Sequence, residues 1–306
     1  MKISVLINNY NYQDYVVDSI ESVLNQSHPV DEIIVVDDKS TDNSVEILQE
    51  NFGDREKVKL VLKDKNEGQL SSFNEGFLAS KGDMIFFLDA DDLYKENYIA
   101  EAVKFYKENP KCDFLFCSAE VFGNEERIAN CYENTRDLGY SKIVTLYKKV
   151  WIGHRTSTVS MRRSVLEKFL PIPYLEDWRV RADDCIIYGA SIVGARKFYL
   201  DLPLVKYRAH GNNNHYGRKE KRTPEYAERH NQAKTRLFSF LSEKIDCPSN
   251  LDNFAHLEFK TIPKPNEKEF NMYKSIVKQS QLPKWKKAIN ICSIYTHFLQ
   301  ASYFGR

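Results

Sequence analysis

Four short apolar runs, at residues 3–7, 32–36, 58–62 and 84–88, recur through the first third of the chain with helix-like segments between them. Runs this short and this rich in Val, Ile, Leu and Phe read as strands buried on both faces. Residues 15–25 carry Val16, Ile20, Val23 and Leu24 at helical spacing, with Asp14 placed to cap them. Residues 44–51 open a second helix, and 70–79 form a third that Gly82 would terminate. A parallel strand pair needs a crossover as long as a helix. The alternation therefore predicts an α/β fold, a mainly parallel sheet flanked by helices. With 306 residues, 42% of them apolar, the chain can bury the core such a sheet requires.

The runs end in polar clusters. Residues 8–11, Asp37-Asp38 and Asp89-Ala90-Asp91-Asp92 each follow one. Open α/β sheets bind ligands at the carboxyl ends of their strands, so the clusters share one rim. Three carboxylates this close repel one another, which raises a pKa or calls for a cation; a hard divalent ion with oxygen ligands answers the demand most simply. The plain alternative makes them turn residues, with Asp92 as N-cap of a helix from Leu93. No Gly-x-Gly-x-x-Gly follows the first run and no P-loop motif occurs, so dinucleotide and P-loop sites lose their main support. The net charge of +1 offers no field for nucleic acid. The six cysteines form no Cys-x-x-Cys pair and point to reduced thiols. The N-terminus reads as a strand rather than a signal peptide, and no apolar stretch approaches the ~20 residues of a membrane span. The expectation is a cytoplasmic protein, possible also at the inner face of a membrane.

Ser4-Val5-Leu6-Ile7-Asn8-Asn9-Tyr10-Asn11 is followed by Glu32-Ile33-Ile34-Val35-Val36-Asp37-Asp38-Lys39-Ser40-Thr41-Asp42. Then come Asn66-Glu67-Gly68-Gln69-Leu70-Ser71-Ser72-Phe73-Asn74-Glu75-Gly76 and Gly82 through Asp92. Taken together, these motifs resemble the family-2 glycosyltransferases of the GT-A nucleotide-sugar-binding fold. The resemblance covers the larger part of the chain. It implies that Asp38 accepts a hydrogen bond from the imide nitrogen of uracil, a role open to a carboxylate because it only accepts. It places Asn8 and Tyr10 on the base, Tyr10 by stacking, and Asn66 and Gly68 in the loop beside the nucleotide. Asp89, Asp91 and Asp92 match a DXD-type signature. In that signature Asp91 or Asp92 holds Mn²⁺ or Mg²⁺ across the donor diphosphate and Asp89 contacts ribose. Two departures stand out: Asn8-Asn9 replace a proline and a threonine or serine, and Phe73 replaces the family's arginine.

Farther on, residues 113–116 and 156–161 read as strands, 124–138 as a loop or hairpin, and 164–169 as a short helix capped by Ser164. The family's base is an Asp ahead of a helix that ends in glycine, before a strand and a Tyr-Arg-x-His element. Gly194 and Tyr207-Arg208-Ala209-His210 match that register. The resemblance thus favours Asp183 as base, then Asp184, then Asp177. The competing role for Asp183 and Asp184 is capping, which would lower a carboxyl pKa and suits a base that must start ionised. Arg208 and His210, with the polar loop 211–215, would lie near the donor phosphates.

Three helical stretches close the chain, at 224–245, 267–279 and from 284 to 298 or beyond, with 246–265 irregular. The expected division is a catalytic domain at 1–218, with a nucleotide-sugar half at 1–92 and an acceptor half at 93–218, and a helical extension at 219–306. Trp285, Tyr295, Phe298, Tyr303 and Phe304 mix with lysines, as in a helix lying on a membrane. Packing on the catalytic domain, or a homodimer contact, is preferred because the charge excess is modest.

The expected function is that of a metal-dependent inverting glycosyltransferase of the hexosyltransferase type. It would move a sugar from a nucleoside diphosphate sugar, UDP first, to a glycan or lipid-linked acceptor in cell-surface polysaccharide synthesis. A sugar-phosphate nucleotidylyltransferase is the competitor, but residues 8–12 lack its Gly-rich basic loop. A non-catalytic nucleotide-sugar-binding protein is the other.

Overall fold

A computed structural model describes residues 1–211 and 223–304. Its first third realises the alternation: β1 (Ile3–Asn9), α1 (Val16–Leu24), β2 (Glu32–Asp37), α2 (Ser44–Phe52), β3 (Val58–Leu62), α3 (Gln69–Ala79) and β4 (Met84–Asp89). These strands lie in the order β3-β2-β1-β4, all parallel. Asn8 stands opposite Val36 on one side and Asp89 on the other, and Asn9 opposite Asp37. The register thus sets the three polar clusters side by side on one edge.

The chain then adds β5 (Leu93–Tyr94), α4 (Tyr98–Glu108), β6 (Phe114–Gly123), β7 (Arg127–Ala129), β8 (Arg136–Gly139), α5 (Lys142–Lys148), β9 (Val159–Arg162), α6 (Arg163–Leu166), α7 (Ala182–Ile192) and β10 (Lys197–Ala209). Strand β9 enters antiparallel between β4 and β6, and β10 runs parallel to β6. Strands β4, β6 and β10 therefore present their carboxyl ends on the same edge. One sheet face packs Phe73, Phe87, Phe116, Trp178 and Ile187; the other packs Val16, Leu48, Phe86, Tyr98 and Leu200.

Among the described residues four α-helices follow: α8 (Pro224–Lys244), α9 (Ala255–Phe259), α10 (Glu267–Gln279) and α11 (Lys284–Phe304). Helix α8 buries Leu237 and Leu241 on the first face. Helices α9 to α11 build a separate core with α5, around Ile143, Phe259, Tyr273 and Ile294. Buried Glu258 fastens it by accepting from the Ile143 and Val144 backbone nitrogens at 2.8 and 2.9 Å, groups that the first turn of α5 leaves unpaired.

Several local expectations are corrected. Tyr15, not Asp14, precedes α1, and no side chain caps it. Helix α3 ends at Ser80 in an extended conformation. Gly82 serves close packing instead, since a Cβ there would strike Ser4. Asp92 caps nothing, because β5 follows it and α4 starts at Tyr98. Residues 156–158 form a 3₁₀ turn ahead of β9, α6 starts after Arg162 rather than Ser164, and α9 lies within the stretch expected to be irregular. The expected boundary after 218 and loop residues 212–215 fall outside the described residues.

Candidate active site

At the end of β4 the chain turns through Asp89, Asp91 and Asp92, and the three carboxylates face different ways. Asp92 points inward and is wholly buried. Its Oδ2 accepts from Ser157 Oγ at 2.6 Å and its Oδ1 from the Arg208 backbone nitrogen at 2.9 Å. Burial, with Asp91 and Asp89 nearby, holds its carboxyl well above the ordinary range. Expected beside Asp91 as a metal ligand, Asp92 uses one hydrogen bond at each oxygen to tie the 156–158 turn and β10 to the rim. Asp91 is the outer carboxylate of the pair. His210 Nε2 lies 3.1 Å from its Oδ2, and Arg208 Nε donates to its backbone oxygen at 2.9 Å. The Arg208 guanidinium stacks on Tyr15 and Phe122, and Tyr15 also stacks on His210, at 4.8 Å between centroids.

Asp89 sits between the donor edge and α7. Its Oδ1 accepts from Gln69 Nε2 at 3.2 Å and its backbone nitrogen donates to Ser157 Oγ at 3.1 Å. Burial and Asp91 raise its pKa to about 7; bonds from the Asn8 and Thr156 side chains oppose the rise, and Asp183 adds to it. Asn8 also holds a buried Oδ1 that accepts no hydrogen bond.

Asp183 and Asp184 occupy the first turn of α7, but neither caps it; Arg181 precedes the helix in a left-handed conformation. The lowered pKa expected of a capping carboxylate is reversed. Burial, then the like charge of Asp184, pushes Asp183 up to about 7. Desolvation outweighs the helix N-terminus because the group lines a small cavity walled by Phe73, Phe87, Val159, Ile186 and Ile187. Asp184 points away from this cavity toward Arg181 at 3.2 Å and His230 of α8 at 3.4 Å. It is fully buried and also raised by desolvation. Asp177 pairs with Arg236 at 2.5 Å on the surface, away from the rim clusters.

The expected base-binding group divides in the same way. Tyr10 is exposed at the end of β1, open for stacking. Asp38 is buried and already accepts from Lys63 Nζ at 2.5 Å and from the backbone nitrogens of Glu67 and Gly68 at 3.0 and 2.6 Å. Asn66 accepts from the Arg179 guanidinium through its backbone and side-chain oxygens. Gly68 has φ +89°, and a Cβ there would collide with Arg179 Cα. The neighbouring Gln69 nitrogen donates to the Arg179 oxygen at 2.9 Å.

A model of glycosyl transferase family 2 matches residues 4–170. An uncharacterized glycosyltransferase of Nostoc sp. is 38% identical over 220 residues, which cover 70% of this chain and 67% of that protein. The chain belongs to glycosyl transferase family 2. A putative teichuronic acid biosynthesis glycosyltransferase of Bacillus subtilis, TuaG, is 37% identical over 123 residues, which cover 40% of this chain and 48% of that relative. The structure of S. aureus TarS in complex with UDP-GlcNAc aligns over 99% of this chain and 73% of that one, with a TM-score of 0.58 at 16% identity. That likeness shows the GT-A fold.

In this glycosyltransferase the residue that sequence reading passed over is Gln69. Its Nε2 donates to Asp89, and its Oε1 accepts from the Ala182 nitrogen at the start of α7, at 3.0 Å. One side chain thus links the rim to the helix that carries Asp183. Its place directly after Asn66-Glu67-Gly68 was the available signal. Ser157, Lys63 and Tyr12 were also missed; burial and Asp91 hold the Tyr12 hydroxyl well above its ordinary range.

Proposed function

We propose that this glycosyltransferase moves a sugar from a UDP-sugar to a hydroxyl acceptor with inversion at the anomeric carbon. The carrying observation is the convergence of Asp91, His210 and Asp183 around Asp89 on one sheet edge. Asp183 takes the proton of the acceptor hydroxyl. The acceptor oxygen bonds to the anomeric carbon, and the bond from that carbon to the diphosphate breaks with its electron pair leaving on the diphosphate. A carboxyl held at about 7 is a stronger base than an ordinary aspartate yet is ionised in a useful fraction at neutral pH. On the donor side, Tyr10 stacks on the base, the unpaired Asn8 Oδ1 accepts from the ligand, and Asp38 orders the loop that closes over the nucleotide.

Among the described residues no three His, Cys, Asp or Glu side chains are arranged to enclose a metal. The rim fits an ion that takes one or two protein ligands and fills its shell with phosphate oxygens and water, as Mn²⁺ or Mg²⁺ do with nucleotides. Asp91, with His210 beside it, would hold that ion. When bound, it would stabilise charge on the departing diphosphate as a Lewis acid. The acceptor is a glycan or lipid-linked hydroxyl of a cell-surface polysaccharide, a reading supported by the teichuronic acid biosynthesis named for TuaG. Screening UDP-, GDP- and TDP-sugars with Mn²⁺ for thermal stabilisation and hydrolysis tests the donor. A selective rise in Tm with UDP-sugars is expected; no response to any of them refutes the reading.

A further inference from the structure

Helix α11 buries only one side. Ile294 is buried and Ile291 and Phe298 partly so, against α9 and α10. Ring contacts from Phe298 to Phe270 and from His297 to Phe259, at 4.7 and 5.5 Å, hold that side in place. The opposite side meets solvent and is not polar. Trp285, Ile289 and Leu299 are 62%, 58% and 50% exposed, and Cys292 and Thr296 between them are exposed as well. At 3.6 residues per turn these five positions fall in a stripe roughly 80° wide. No charged residue lies on the stripe. The charges of the helix are Lys284, Lys286 and Lys287 in its first turn, and it has no acidic residue. Phe254 and Leu257, both about half exposed, add apolar surface on the segment packed against α11, where the Asn290 side chain donates to the Asn253 oxygen at 3.3 Å.

A surface helix of a soluble domain turns polar residues outward, so an outward apolar stripe flanked by cations marks a face that is covered in use. Charge decides what covers it. Residues 251–304 hold eight lysines and four acidic residues, in a chain whose net charge is +1. Two of those acids are spent internally: Glu258 on the backbone of α5 and Glu269 on Arg136, at 2.9 Å. The surface field is therefore positive and suits an anionic partner. A second copy would bring two basic faces together.

We propose that α11, with Phe254 and Leu257, docks this transferase on an anionic lipid bilayer. Trp285 and Ile289 enter the boundary between headgroups and acyl chains, and Lys284 and Lys286 meet lipid phosphates, whereas Lys287 is held by the Lys278 oxygen at 2.9 Å. No described helix is long and apolar enough to cross a membrane, so the contact is peripheral. The α9–α11 core joins the sheet domain through α5. That helix leads to Trp151, which hydrogen-bonds Asp184 beside the proposed base.

Sedimentation of the full chain with phosphatidylcholine vesicles, with and without phosphatidylglycerol, tests this. Binding is expected only with the anionic lipid and should weaken with added salt. Reversing Lys284 and Lys286 to Glu should weaken it about 25-fold, about fivefold for each lysine even before the added repulsion. The double variant Trp285→Ser, Ile289→Ser should weaken it at least about tenfold while Tm and UDP-sugar hydrolysis hold. Absence of binding to anionic vesicles overturns the proposal, as does undiminished binding by the Ser variant. A wild-type dimer that the Ser variant converts to monomer would assign the face to a second copy and also overturn it. Vesicle binding, Tm and oligomeric state are read without reference to the donor; only the hydrolysis control rests on the proposed donor.

Discussion

Replacing Asp183 by Asn keeps the shape of the side chain and removes its charge, and the charge acts in two opposite directions. Burial and Asp184 hold the carboxyl at about 7 against an ordinary 3.8. The native state therefore binds this proton more tightly than the unfolded chain does. The resulting stability is full below about pH 4 and is lost as pH rises through about 7. At pH 8 the ionised group opposes folding. At 1.36 kcal/mol per pH unit, the difference amounts to about 4 kcal/mol at most. Water reaching the half-buried group, and the share owed to Asp184, reduce what Asn recovers to roughly 1–2 kcal/mol. Differential scanning at pH 8 should thus show a Tm raised by about 2–4 °C. The same variant should lose about 10²- to 10⁴-fold in kcat for sugar transfer, the usual contribution of a general base. A more stable and nearly inactive enzyme is the expected result. A kcat close to wild type would remove Asp183 from the chemistry, and a lowered Tm would show that its charge is not held at a cost.

The wild-type pH profile should follow the same group: kcat/KM climbs with pH and levels off above about 7, and a profile flat from acid to neutral would count against it. Gln69→Leu, which breaks both bonds between Asp89 and α7, should lower kcat about tenfold and move the acid limb of that profile while the protein stays folded. Chelation should abolish transfer and Mn²⁺ restore it, and His210→Ala should raise the Mn²⁺ needed for half-activity by about tenfold or more; full activity in chelator would refute the cation. Phe73→Arg, which restores the family's usual residue, should destabilise the fold by about 3 kcal/mol in urea titration, because Phe73 is buried 5.3 Å from the Phe87 ring and a guanidinium there would be desolvated among apolar walls, a cost that Asp183 on the same small cavity offsets only in part.

The rim was legible because strand period and parallel register are local facts. Once 3–7, 32–36 and 84–88 are strands, Asn8, Asp37 and Asp89 must end on one edge. What stayed hidden depends on contacts between distant segments. Asp92 looked like a cap or a ligand because its partners, Ser157 and Arg208, come from far along the chain. Asp183 looked like a carboxylate favoured by a helix N-terminus, since the apolar walls that raise its pKa come from α3, β4 and β9. The exposed stripe of α11 was visible only as aromatic residues among lysines, because which side faces α9 and α10 is set by their packing.

The meeting of Gly68 with Arg179 has a consequence for how such an enzyme diversifies. The donor loop abuts residue 179 main chain to main chain, with the Gln69 nitrogen on the Arg179 oxygen and no side chain at 68 to act as a spacer. The interval between the 66–68 loop and the segment leading into α7 is therefore set like a fixed gauge, by peptide dimensions alone. Substitutions on α8, or in the loops between β6 and α5, leave that gauge untouched. A single methyl at position 68 would reset it. Side chains elsewhere can drift along such a lineage while the spacing between these two main-chain segments stays the same.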